Sequence, residues 1–381
     1  MVSRRDFVKR LGLTAATGLA LTQTLNRQTT YAQTLADHKA GIYDKGIIQL
    51  NQNESARGPG AKTLAAIREH TTKRVGRGYA PDHVNELRDS IASRMGVDSS
   101  WVLLGTGSTP ILEGSVHAFC SDERPLVTAV PSYSTSEQTA RKRGFPIERI
   151  PLDGDLYVDL PKMAGVAPGA GLIYVCNPNN PSGTVHGPEV IEAFVRKIMR
   201  ETPDSIVHID EAYINYVDPG AMETAIPLVK EFKNVFITRS FSKAHALAGL
   251  RIGFAIGHPD TLDAIRGAWG MGDVNMLGAV AALTALNDDA HLEQERLENY
   301  EIKQFVTRAF NELGYDVPYS HTNHIFVNLR RPASEFREAC LKHNVLVGRD
   351  FPPLEKTHCR ISLGSREEMA EAVRVFRLVL A

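Results

Sequence analysis

Lys243 stands in Ser240-Phe-Ser-Lys-Ala-His-Ala-Leu-Ala-Gly-Leu-Arg251, a run of small and apolar residues whose next cation is Arg251. A lysine confined among apolar groups beside another cation has a lowered pKa, and its free amine can condense with an aldehyde. Ser240, Ser242 and Arg251 are donors suited to a phosphate, the arginine through its planar fork. Upstream, Gly105-Thr-Gly-Ser-Thr109 reads as a strand-to-helix turn. Free backbone N–H groups there, with Ser108 and Thr109, admit a phosphate, although many such turns bind nothing. Asp210 ends the apolar run Ser205-Ile-Val-His-Ile-Asp210, so its carboxylate is desolvated and needs a cation or strong donors. Glu211 reads as a packing or hydrogen-bonding neighbour, with Tyr213 two residues further on. In Asn177-Pro-Asn-Asn-Pro181 an amide either bonds a ring hydroxyl or closes an Asx–Pro turn. Tyr133 either packs in the core or stacks on a flat ligand. A phosphate, a flat ring facing a buried carboxylate and an amine for an aldehyde together describe one ligand, pyridoxal 5′-phosphate.

To meet in one place, these residues must lie on elements that share an edge. The runs 101–104, 125–130, 171–176, 205–210 and 234–239 have high strand propensity and are almost wholly apolar. That pattern fits strands buried on both faces of a parallel sheet. Each run ends in polar or glycine-rich residues, and open α/β sheets bind ligands beyond the carboxyl ends of their strands. Val84, Leu87, Ile91 and Met95 form one helical stripe, and Val190, Ile191, Phe194, Val195, Ile198 and Met199 another. The alternation implies a layered α/β fold. Beyond a helical stretch near 292–313 come His324-Ile-Phe-Val-Asn-Leu329, 343–349, 359–363 and a last helix carrying Met369, Ala372, Val373 and Phe376 on one face. This tail reads as a smaller α+β domain starting near Asp273.

The bounds agree with an enzyme. A chain of 381 residues accommodates one large domain and a smaller one, and 43% hydrophobic with 23% charged residues is ordinary for a globular protein. A net charge of −1 without a basic run argues against a nucleic-acid footprint. The four cysteines are widely spaced, and His321-Thr-Asn-His324 reads as a polar loop rather than a metal site. Arg4 and Arg5, followed by Phe7 and a mildly apolar stretch to Leu21, resemble a twin-arginine export signal, with Thr30-Tyr-Ala32 as cleavage context. The expectation is a periplasmic or otherwise exported protein, or a cytoplasmic one if the signal is not used; the apolar part is too short to span a bilayer.

Taken together, the chain resembles the fold-type I pyridoxal-phosphate enzymes of the class I and II aminotransferases, with histidinol-phosphate aminotransferases the nearest group. The resemblance runs from about Leu50 to near the C-terminus. It rests on LNQNESARGPG, YAPDH, GTGS, VPSY, NPNNPSG, IDEAY, SFSKAHALAGLRIG and CRISLGSREEM. It implies a mostly parallel seven-stranded sheet, a small domain formed by both chain ends, and a homodimer with active sites at the interface. The expected organisation is a signal over 1–33, an arm over 34–55, a large domain over 56–272 and a small domain over 273–381. Matched position by position, Lys243 is the Schiff-base lysine, Asp210 the partner of the pyridinium nitrogen and Tyr133 the stacking aromatic. Asn180 and Tyr213 match the partners of the ring hydroxyl. Ser108, Thr109, Ser240, Ser242 and Arg251 match the phosphate cradle, and Tyr79 the tyrosine that reaches it from the other subunit. Arg360 matches the arginine that grips a substrate α-carboxylate, with Asn53 expected beside the substrate.

The chain departs from its relatives at Arg57, where histidinol-phosphate aminotransferases usually carry an aromatic. Arg57 either attracts an acidic substrate group or is a surface cation. His245, two residues past Lys243, also departs, and Arg349 either faces the substrate mouth or braces the small domain. Two other readings share these residues: a pyridoxal-phosphate decarboxylase or lyase acting on a phosphorylated or sulfur amino acid, and a non-catalytic cofactor-binding protein. Retention of Lys243, Asp210 and Arg360 favours chemistry over mere binding.

Overall fold

The apolar runs become neighbouring strands of one sheet. The computed structural model describes residues 46–73, 75–76 and 81–381, with the backbone alone at Pro81. Its strands are β1 Ile48–Leu50, β2 Val102–Gly105, β3 Leu126–Val130, β4 Ile147–Pro151, β5 Leu172–Cys176 and β6 Ile206–Asp210. They continue with β7 Val235–Ser240, β8 Gly253–Gly257, β9 His324–Asn328, β10 Val345–Val347 and β11 His358–Ser362. Seven of them form the central sheet in the order β2-β8-β7-β6-β5-β3-β4. β8 runs antiparallel to both neighbours, and every other pairing is parallel.

All residues of β5 and β6 are buried, in keeping with the apolar residues that dominate both, and His208 and Asp210 are the polar exceptions on β6. Two strands escape a reading by apolar runs. β4 is an edge strand whose Glu148, Arg149 and Pro151 are exposed, so it carries polar residues. β8, Gly-Phe-Ala-Ile-Gly, is flanked by glycines that reflect close approach of its neighbours rather than strand propensity.

Helices cover both faces of the sheet. In Pro188–Glu201 the side chains of Ile191, Phe194, Val195 and Ile198 are buried, whereas Val190, expected on that stripe, faces solvent. A second core lies around Leu50, β9, β10 and β11 and is closed by the helices Asp289–Glu312, Ala333–Leu341 and Arg366–Leu380. In the last of these, Met369, Ala372, Val373 and Phe376 point inward, and Ser365 and Glu368 close a capping box at its start. β1 pairs in parallel with β10, tying the N-terminal side of the described chain to this second core. The helix Met276–Leu286 differs from expectation. Although it follows Asp273, its Ala279, Ala281, Ala282, Ala285 and Leu286 are buried in the core of the large sheet. Its alanines allow close packing there, and composition alone does not say against which core.

Candidate active site

Strand register brings the chemistry to one edge. Cys176 pairs with Asp210, Asp210 with Thr238, and both Ser240 and Gly105 with Gly253, so these strand ends lie side by side. They open onto a cavity of about 320 Å³. It is lined by Ser108, Thr109, Tyr133, Asn180, Asp210 and Tyr213, together with Ser240, Ser242, Lys243, Arg251 and Arg360. Residues spread over most of the sequence therefore share one space, and Asn53 joins them from the segment after β1.

Ser108 is the N-cap residue of the helix Thr109–Phe119, and its side chain makes no capping bond. Pro110 has no N–H and the Ile111 and Leu112 amides donate to the Ser108 carbonyl, so the N–H groups without a described partner are those of Ser108 and Thr109. The Ser240 hydroxyl accepts from the Ser242 amide at 3.0 Å. Arg251 donates to the carbonyls of Ala248 at 3.0 Å and Thr106 at 3.4 Å; no described carboxylate pairs with it. Glycines make the packing possible. Gly107 has φ +83°, and a Cβ there would lie 2.2 Å from an Arg251 guanidinium nitrogen. A Cβ on Gly253 would lie 2.4 Å from the Ser108 nitrogen. The result is a turn of free donors beside one unpaired guanidinium, which fits a phosphate.

Asp210 is buried at the end of β6. Its carboxylate accepts from the Tyr174 hydroxyl at 2.9 Å and the Thr238 hydroxyl at 3.0 Å. His208 Nε2 lies 2.8 Å from the Thr238 oxygen; because Thr238 gives its proton to Asp210, the histidine donates to it. Burial pushes the Asp210 carboxyl up to about 6, against the lowering by Tyr174 and Thr238. A buried carboxylate with no described cation in contact suits a positively charged ring N–H. Tyr174 and Thr238 were not singled out from the sequence, although a tyrosine inside a fully buried strand needs a partner for its hydroxyl.

Lys243 is half-buried, and its Nζ donates to the carbonyls of Asn53 at 3.1 Å and Gln52 at 3.3 Å. Burial lowers its pKa to about 8, with the Arg360 charge next in weight. Arg360 is buried on β11 beside Ile361, on the strand face turned to the cavity. It donates to Asn180 Oδ1 at 3.0 Å and to the Asn51 carbonyl at 2.6 Å, its Nε has no partner, and no described carboxylate pairs with it. Burial pushes its pKa down to about 10. Since Asn180 Oδ1 is occupied by Arg360, its NH2 group is the end available to a ring oxygen. Arg349 also lines the cavity, and both guanidiniums lie over Phe351, 4.6 Å for Arg349 and 4.9 Å for Arg360 from the ring centre. These residues fit pyridoxal phosphate at each of its polar groups.

The remaining candidates take other places. Arg57 does not line the cavity: its Nε lies 3.0 Å from Glu298 and 3.8 Å from Glu295, which anchor it to the helix Asp289–Glu312. His245 is buried against Phe241, 4.7 Å between ring centres, and does not reach the cavity. Asn53 borders the cavity, yet its side chain is spent on Tyr213, His324 and Ser362. Glu211 is held by Arg239 at 2.9 Å and by the Ala225 amide at 2.7 Å, a structural pair. Tyr79, Arg4 and Arg5 lie outside the described residues.

Comparison with known proteins agrees with this geometry. The family model for aminotransferase class I and II matches residues 45–376. The chain is 31% identical over 346 residues to a histidinol-phosphate aminotransferase of Symbiobacterium thermophilum, covering 89% of this chain and 92% of that one. It is 32% identical over 326 residues to one from Gluconacetobacter diazotrophicus, covering 84% and 88% respectively. The crystal structure of histidinol-phosphate aminotransferase from Sinorhizobium meliloti in complex with pyridoxal 5′-phosphate superposes with a TM-score of 0.80 at 25% identity, covering 90% of this chain and 93% of that one.

Proposed function

The chain belongs to the class I and II aminotransferases and depends on pyridoxal 5′-phosphate, and from that premise we propose which residues perform the amino transfer and what donor they accept. Arg360 receives the anionic group of the substrate. Of all the observations this one carries the reading: a buried guanidinium with an unpartnered Nε and no described carboxylate faces the same cavity as Lys243. A buried charge left unpaired is costly, and a substrate carboxylate or phosphate would supply the missing partner in bidentate form. Arg349, stacked on the same phenyl ring, adds positive charge at the mouth.

When bound, the cofactor supplies an aldehyde to carry the amino group and an electron-withdrawing ring to stabilise negative charge at the substrate α-carbon. The protein supplies everything else. Lys243 Nζ would hold the cofactor through its aldehyde carbon until the substrate amine replaces it, and the freed amine would take the proton from the substrate α-carbon and return it to that former aldehyde carbon. Its pKa near 8 suits a base that must be free near neutral pH. Asp210 holds the ring N–H, Tyr133 packs along the ring, and Asn180 with Tyr213 holds the ring oxygen. Ser108, Thr109, Ser240, Ser242 and Arg251 retain the phosphate. The donor is an α-amino acid, or an amine carrying a phosphate in that place as the relatives' names suggest, and the acceptor is a 2-oxo acid.

A panel of single amino acids and histidinol phosphate, each with 2-oxoglutarate or pyruvate, tests this directly. Formation of a new 2-oxo acid or amino acid is expected, together with a large rise in KM for Arg360→Ala. Release of carbon dioxide with no amino transfer would overturn transamination in favour of decarboxylation. We further propose a homodimer in which Tyr79 completes the phosphate site of the partner subunit; a monomeric holoenzyme in light scattering would sink that. The paired Arg4 and Arg5 support twin-arginine export. Changing both to lysine should leave the enzyme in the cytoplasm, and unaltered fractionation would refute the assignment.

A further inference from the structure

His324 opens β9 and is fully buried, although its neighbourhood reads as a polar loop in the sequence. Its Nδ1 lies 2.9 Å from Asn53 Nδ2, which also reaches the Tyr213 hydroxyl at 2.9 Å. The Ser362 hydroxyl accepts from the Asn53 backbone N–H at 2.8 Å and donates to the side-chain Oδ1 of Asn53 at 2.7 Å. The His324 ring meets that of Tyr213 edge-on, 5.3 Å between centres.

A chain of this kind can run in either of two directions. If Nδ1 is bare, the Asn53 NH2 faces it and also donates to Tyr213, whose own O–H is then free. If Nδ1 carries a proton, the amide must turn its oxygen toward His324 and Tyr213. The tyrosine proton is then consumed, and its oxygen can only accept. What lies around the ring selects the first state. The Ser362 hydroxyl donates to Asn53 Oδ1, which leaves the Asn53 NH2 group facing the ring, so Nδ1 accepts and the one proton of the neutral imidazole belongs on Nε2. The charged groups facing the imidazole are Arg360, Lys243 and Lys303, all cationic, and with burial they keep it neutral.

We propose that His324 is a positioning residue: its bare Nδ1 orients Asn53, Asn53 donates to Tyr213, and Tyr213 is thereby left to donate its proton into the cofactor cavity. This rests on the reading of Tyr213 as a partner of the cofactor's ring oxygen. Donation to that oxygen favours its anionic form, so the lysine-bound chromophore should release its proton at lower pH than it would without the relay.

Two measurements test it. Imidazole 15N shifts of His324 in the wild-type protein should report a protonated Nε2 and a bare Nδ1 from pH 6 to 8. A protonated Nδ1 overturns the proposal, and this readout needs no variant to fold. Absorbance titration of holoenzyme should then separate two variants. His324→Phe keeps an aromatic ring but removes the acceptor, and should raise the apparent pKa of the chromophore by about one pH unit, a tenfold change. His324→Asn places a carbonyl oxygen where Nδ1 stood and should titrate like wild type. A Phe variant with wild-type titration, or two variants shifted equally, overturns the proposal. Absence of any lysine-bound chromophore in the wild type would instead sink the functional reading, while the tautomer could still be read in the apoenzyme.

Discussion

Lys243 answers two opposed demands. To stay folded it would rather be solvated and charged; to attack an aldehyde it must be unprotonated. Burial first, and Arg360 next, bring its pKa from the ordinary 10.5 to about 8. Below pH 8 the free amine falls about tenfold per unit. Capture of pyridoxal phosphate by the apoenzyme should therefore accelerate up to about pH 8 and level off above it. A stopped-flow rate still climbing at pH 10 would identify an ordinary lysine. The same shift has a cost in stability with a definite sign. Between pH 8 and 10.5 the unfolded chain holds this proton and the folded one does not, so stability rises with pH across that window. At pH 7 the full penalty is present, and the apo form of Lys243→Ala should melt higher than apo wild type while forming no borohydride-fixed adduct. Arg360 follows similar logic at the substrate end: an unpaired buried cation is tolerated where a ligand will neutralise it.

At the scale of elements, the phosphate end depends on how closely β8 approaches the turn after β2. Gly253 pairs with both Gly105 and Ser240, and its missing Cβ leaves room for the backbone of Gly107 and Ser108. Gly253→Ala would place a carbon 2.5 Å from the Gly107 carbonyl carbon, so the strands must part or the turn must shift. The expected loss is about 1–3 kcal/mol of stability, from overpacking against backbone that cannot rotate away. Cofactor affinity should fall with it, since the displaced residues are those facing the phosphate. Gly249→Ala is the control: nothing lies within 4 Å of its Cβ, and a change within about 0.5 kcal/mol is expected. Urea unfolding of the two apoenzymes, with a pyridoxal phosphate titration, compares them; equal midpoints would show that the sheet yields without strain.

At the scale of the whole molecule, buried histidines bind both halves of the chain to neutral pH. Burial pushes His208 and His245 down to about 3 and holds His324 well below 6.5. Below pH 6.5 the unfolded chain takes up protons that these rings refuse, so stability falls as pH drops. Each histidine contributes a slope of up to about 1.4 kcal/mol per pH unit. Asp210 acts in the opposite sense, because its folded pKa is raised to about 6 and the folded state gains its proton first. One carboxyl offsets only part of three imidazoles. The melting temperature of the apoenzyme should drop steeply between pH 7 and 5, and a flat profile over that range would show these rings to be solvated.

Much of this was legible in the sequence because local chemistry and local structure coincide at strand ends. β5 and β6 announce themselves by apolar runs, and Asp210 by its place at the end of one; Lys243 is conspicuous among small residues beyond β7. Sequence alone thus determined the layered sheet, the edge that carries the chemistry and the identity of the cofactor. Tertiary structure decided what each polar group is paired with. Arg57 looks available in the chain and is taken by Glu298, 241 positions away (298 − 57). Asn53 looks like a substrate contact and instead joins Tyr213 to His324, while Arg360, alternating with core residues on β11, turns out to be buried with no described carboxylate beside it. The reason is that charge neutralisation and hydrogen-bond direction are properties of three-dimensional neighbours. Periodicity tells which face a side chain takes, but not what will be waiting there.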